Sequence, residues 1–151
     1  MKRKTASFTG MRPIFTGSPS IVQGGFNLDV EGQKFRVGDV VPAGTLAIFN
    51  ETTRKVQVIK TAKVVEVDNE NNKKVTLYVD EFYAPCFAVG DSVLKVGAVT
   101  GTFASAPTIT AIDNGNCLNN TGNVYVVTLS AAITGLKAGD VLTEVVKDSS
   151  N

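Results

Sequence analysis

Residues 35–45 read Phe35-Arg36-Val37-Gly38-Asp39-Val40-Val41-Pro42-Ala43-Gly44-Thr45. A Gly-Asp step sits here among β-branched residues, and a second turn signal follows at Pro42-Ala43-Gly44. The step recurs twice, in Val89-Gly90-Asp91-Ser92-Val93 and in Ala138-Gly139-Asp140-Val141-Leu142. Glycine tolerates positive φ, and aspartate can hydrogen-bond the backbone two residues on. Each pair therefore predicts a tight turn that starts a strand. The steps lie far apart and their flanks match poorly, so they read as recurrent turn chemistry, not as an internal duplication.

Working outward, the chain alternates short strand-like runs with turns. Gly24-Gly25 reads as a hinge or bulge before a strand at residues 26–30. Glu31-Gly32-Gln33 turns the chain, and strands are predicted at 35–41 and 45–49. Val56, Val58, Val65 and Val67 show period-two spacing, the polar run Asp68-Asn69-Glu70-Asn71-Asn72 reads as a hairpin tip, and Val75, Leu77 and Val79 alternate after it. Further strands are predicted at 92–96, 108–112, 123–129 and 140–146, with one helical turn at 131–133. Nine to ten short strands with turn signals every 8–12 residues predict an all-β fold, a small barrel or sandwich.

Length and composition agree. At 151 residues, with 43% hydrophobic and 19% charged residues, the chain can bury a core without disulfides. Residues 1–23 predict an extended arm, because Pro13 and Pro19 remove donors and Gly10, Gly17, Ser18 and Ser20 disfavour helix. Residues 24–151 predict a single β domain. Phe8, Met11, Ile14 and Phe15 make the arm too apolar for a solvating tail. Such an arm lies on its own body or on a neighbour, and a neighbour is favoured.

Charge is uneven. Lys2, Arg3, Lys4 and Arg12 precede the first acid, which leaves 11 of the 15 bases against all 14 acids in the remainder. A basic arm on a slightly acidic body suits an acidic surface or nucleic acid, and a solvated terminus is the equal alternative. There is no apolar run of membrane length and no apolar segment behind the N-terminal bases, so neither a membrane span nor a signal peptide is expected.

Little in the chain predicts chemistry. Histidine is absent, which removes the usual general base near neutral pH and the commonest metal ligand. Cys86 and Cys117 could pair, though two buried free thiols are the favoured reading, and neither has a base nearby in sequence. Two cysteines do not make a zinc site. Asp39, Asp91 and Asp140 could be imagined as converging carboxylates, but their contexts predict turn caps. The loop at 68–72 lacks the central glycine and terminal glutamate of a calcium loop. No Walker motif or GxGxxG occurs. No enzyme activity, cofactor or metal is expected. Tyr78, Phe82 and Tyr83, near Lys73 and Lys74, are the only candidates for a stacking platform, which would suit a nucleic-acid or carbohydrate module, and core and edge positions are the favoured reading for them.

The run Gly38-Asp39-Val40-Val41-Pro42-Ala43-Gly44-Thr45, the following Leu46-Ala47-Ile48-Phe49 and the later Val126-Val127-Thr128-Leu129-Ser130 with Gly135-Leu136-Lys137-Ala138-Gly139-Asp140-Val141-Leu142 resemble small capsid-associated proteins of tailed bacteriophages. These are head-decoration, auxiliary capsid and head-fibre proteins, notably of phages of gut Bacteroides-type hosts. The resemblance covers residues 24–146 in texture. It implies a β-tulip or barrel fold, a place on the capsid exterior of the virion after assembly in the host cytoplasm, and a homotrimer. It also implies that the arm contacts the major capsid protein, through Lys2, Arg3, Lys4, Phe8, Met11, Arg12, Ile14 and Phe15. It brings no catalytic residues.

Overall fold

The hairpin around residues 68–72 anchors the architecture. In the computed structural model, which describes residues 23–80, 83–97, 103–114 and 125–147, it joins two antiparallel strands. In chain order the strands are β1 (Asn27–Leu28), β2 (Ala47–Asn50), β3 (Lys55–Val58), β4 (Thr61–Val67), β5 (Lys74–Leu77), β6 (Val93–Lys95), β7 (Ile109–Asp113), β8 (Val126–Leu129) and β9 (Val141–Glu144). One helical turn, α1 (Val30–Gln33), and a 3-10 turn at Phe103–Ser105 interrupt them. The all-β expectation is borne out. Six strands in the order β6-β9-β4-β5-β8-β7 curl into half a barrel, and β1-β3-β2 form a separate three-stranded sheet.

The core belongs to the half-barrel. Val64, Val75, Leu77, Val79, Phe87, Val93, Ile109, Tyr125, Val127, Leu129 and Leu142 form one buried cluster. The Tyr125 hydroxyl donates to the Phe87 carbonyl at 3.1 Å, which satisfies the polar tip of a buried aromatic. On β4 the inward residues are Ala62, Val64 and Val67, and Val65 is exposed. The expected alternation fails there because Val64 pairs with Leu77 and Glu66 with Thr76, so Val65 is the extra residue of a β-bulge.

The three Gly-Asp steps form the same turn. Gly38, Gly90 and Gly139 have φ of 96°, 92° and 92°. Asp39, Asp91 and Asp140 each donate N–H to the carbonyl three residues back, at Arg36, Ala88 and Lys137. Each carboxylate accepts the N–H of that same residue at 2.8 Å. The aspartates thus cap backwards over three residues, not forwards over two. Asp91 and Asp140 lead into β6 and β9 as expected.

Residues 35–41 are not a strand. The turn at Arg36 to Asp39 consumes the backbone groups a strand would pair, and a second turn, Thr45 N–H to the Pro42 carbonyl, delays the next strand to Ala47. Residues 26–30 give only the two-residue β1 before α1 begins. Residues 131–133 form no helix, and the Leu136 N–H to Ile133 carbonyl bond closes a turn instead. The period-two run at 55–68 divides between β3 and β4, which belong to different sheets. The arm residues 1–22, Phe82, Cys117, the loop at 115–122 and residues 148–151 lie outside the described residues.

Candidate functional site

The chain crosses from the three-stranded sheet to the half-barrel at Ile59-Lys60. Ile59 N–H still bonds the Leu46 carbonyl, and the Lys60 carbonyl already accepts the Glu144 N–H, each at 2.8 Å. This crossing drives the Lys60 side chain into the junction, where it is 1% exposed. A buried ammonium needs partners. Its Nζ donates to Asp91 Oδ2 at 2.8 Å and to the Gln33 carbonyl at 2.7 Å, and lies 3.6 Å from Glu144 Oε1. The Phe35 ring centroid is 5.3 Å away.

Every supporting group is itself held. Gln33, at the end of α1, binds both the N–H and the C=O of Val58 through its side-chain amide. Asp91 is fixed by its turn. Glu144 Oε2 accepts the Lys60 N–H at 3.3 Å. Burial pushes the Glu144 carboxyl above its ordinary 4.5, against the pull of Lys60 and with the push of Asp91. One cation, two carboxyls and a carbonyl thus share a site largely closed to water. Sequence reading missed Lys60, Glu144 and Gln33. The one available signal was a lone lysine inside the run Val56-Gln57-Val58-Ile59-Lys60-Thr61-Ala62.

Beside this junction lies a cavity of about 300 Å³, lined by Phe35, Val41, Pro42, Tyr78, Tyr83 and Cys86 among others. The Cys86 thiol donates to the Val40 carbonyl at 3.1 Å, and burial pushes its pKa up, so it is a poor nucleophile. Cys86 is a free thiol. Tyr83 is raised by burial, then by Asp80 and by Tyr78. The two tyrosines do meet in one cavity, but Lys73 and Lys74 do not line it. Lys74 borders a separate depression with Glu66, Asp68 and Asp113. The two tyrosines and the two lysines thus do not line one cavity, and Phe82 lies outside the described residues.

Asp39, Asp91 and Asp140 do not converge. Asp39 pairs with Arg36, Asp140 with Lys95 and Asp91 with Lys60. Among the described residues, no group of three or more His, Cys, Asp or Glu could hold a metal ion. No helix among them is long and apolar enough to cross a membrane.

The three-stranded sheet presents an open apolar surface. Its central strand β3 pairs in parallel with β1 and antiparallel with β2, so β1 and β2 are edges. Leu28, Val30, Ile48 and Phe49 are exposed, as is Leu46 just before β2. Phe26 packs on Phe49 with ring centroids 5.1 Å apart, and the Arg54 guanidinium covers Phe26 at 4.6 Å. Arg54 also donates to the Gln23 carbonyl at 2.9 Å. This contact ties the point where the arm leaves the body to the edge of the apolar sheet. The eight arm residues expected to contact capsid lie outside the described residues. Comparison of the chain with protein-family models, with curated proteins and with solved structures gives no match in any of the three.

Proposed function

We propose that this chain is a structural virion protein that binds the outside of a phage capsid and decorates or cements it, as a homotrimer. Its arm, through Lys2, Arg3, Lys4, Phe8, Met11, Arg12, Ile14 and Phe15, contacts capsid subunits. The observation that carries this reading is the three-stranded sheet, which exposes apolar side chains on short edge strands beside the arm's point of departure. Exposed apolar patches mark interaction surfaces, and extended segments add to open sheet edges through backbone pairing. The sequence resemblance supplies the partner.

Deleting residues 1–20 is expected to reduce co-sedimentation with capsids to background, while the far-UV circular dichroism of the body is unchanged. Capsid binding at the full-length level by a folded truncated chain would overturn the role given to the arm. Light scattering on particles and on the free chain reports whether three copies associate before or upon binding.

A further inference from the structure

Lys60, Asp91 and Glu144 have the composition and layout of a reactive centre. Lys60 immediately precedes β4, Asp91 lies two residues before β6, and Glu144 ends β9, the strand that lies between β4 and β6. The amine and the Asp91 carboxyl are thus held from the two flanking strands, with the second carboxyl between them. Their side chains are 1%, 6% and 10% exposed. Nζ is already 2.8 Å from Oδ2, whose carboxyl carbon is one bond further on. Holding two reacting groups in contact in a site shielded from water is the main requirement for a condensation to run inside a fold without a separate enzyme.

We propose that Lys60 and Asp91 condense to an intramolecular isopeptide bond, with Glu144 carrying the proton. Proton transfer along the 2.8 Å hydrogen bond from Nζ to Oδ2 converts the ion pair into the amine and carboxylic acid that react. The Lys60 lone pair attacks Cγ of the Asp91 acid, and the new C–N bond forms. Glu144 takes a proton from the nitrogen and delivers it to the departing hydroxyl. The C–Oδ1 bond breaks and one water leaves. No oxidant, reductant or co-reactant is needed, and Glu144 ends in its starting state. Its raised pKa suits it to hold and return a proton.

The surroundings fit the product as well as the reactants. Asp91 Oδ2 accepts the Ala88 N–H at 2.8 Å, a donor placed to stabilise charge on that oxygen during attack and to bond the amide carbonyl afterwards. The one N–H left on Lys60 Nζ keeps the Gln33 carbonyl, now at 2.7 Å, as its acceptor. The bond would clamp β4 to the entry of β6 across β9 and close the chain between residues 60 and 91, beside the crossing from one sheet to the other.

Intact mass spectrometry of the purified full-length chain tests this. The expected mass is one water below that of the linear sequence. A tryptic digest is expected to contain a branched peptide joining the segments with Lys60 and Asp91, and no cleavage after Lys60. Glu144→Gln is expected to abolish or greatly slow the mass loss while circular dichroism reports a folded chain, and Lys60→Met to show none. The full linear mass in the folded wild-type protein, or a water loss that maps to other residues, would overturn the proposal. The first result would leave Lys60 and Asp91 as an ordinary buried ion pair.

Discussion

Against the wild-type chain before Lys60 and Asp91 condense, Lys60→Met is expected to destabilise the fold by about 3–5 kcal/mol at neutral pH, read as a fall in the urea midpoint followed by circular dichroism. Methionine keeps an unbranched apolar stem but leaves the Asp91 and Glu144 carboxyls in a closed site without their cation. The Gln33 carbonyl loses its donor as well. The sign with pH follows from Glu144. Its folded pKa is raised above 4.5, chiefly by burial, so the fold binds that proton more tightly than the unfolded chain does. The corresponding stabilisation is fully present below 4.5 and is lost as pH rises through the raised value. Removing Lys60, which pulls the pKa down, widens that window, so the deficit of the variant should shrink between neutrality and about pH 5. Asp140 and Asp29 act in a different window. Hydrogen bonds, from Lys95 first for Asp140 and from Gln57 first for Asp29, hold both below their ordinary 3.8. Their contribution is present above 3.8 and fades as pH falls below it. Lys63→Met, at an exposed lysine on β4, is the control and should stay within about 0.5 kcal/mol of wild type. Equal midpoints for the Lys60 and Lys63 variants would show that the junction contributes nothing to stability.

The half-barrel was legible where one strand faces water on one side and the core on the other. Val75 and Leu77 alternate with Lys74 and Thr76, and that pattern alone orients β5. Reading failed where backbone groups found local partners. Residues 35–41 are rich in valine, yet Asp39 captures the Arg36 N–H, and Val37 and Val40 stand in solvent. It failed at Val65 because a bulge shifts the period by one residue, which composition does not signal. The junction was illegible for a different reason. Asp91 and Glu144 lie 31 and 84 residues from Lys60, and only the sheet order brings them together. Asp91 was visible as a turn cap and not as a counter-ion, because one carboxylate oxygen serves both roles. The apolar sheet beside the arm reads in sequence as ordinary strands; its exposure follows from β1, β2 and β3 standing outside the core cluster.

Phe87→Ala should cost about 3–5 kcal/mol, the loss of a fully buried aromatic plus the cavity it leaves. Phe87 does more than fill space. Its carbonyl takes the Tyr125 hydroxyl, and its backbone leads directly into Ala88, whose N–H and C=O set the turn that aims Asp91 at Lys60. The core and the charged junction are therefore coupled through one residue. A cavity behind Ala88 lets this turn shift, so the Phe87 variant should lose stability and also carry less of the Lys60–Asp91 amide in its intact mass. Phe87→Leu, which retains most of the volume, should lose less on both measures. Val93→Ala, in the same core cluster but beyond the turn, separates the two effects. It should lower the urea midpoint through its own cavity while leaving the amide yield near that of wild type. If Phe87→Ala lowers the midpoint and leaves the yield unchanged too, then the turn is positioned by its own hydrogen bonds and not by the core beneath it.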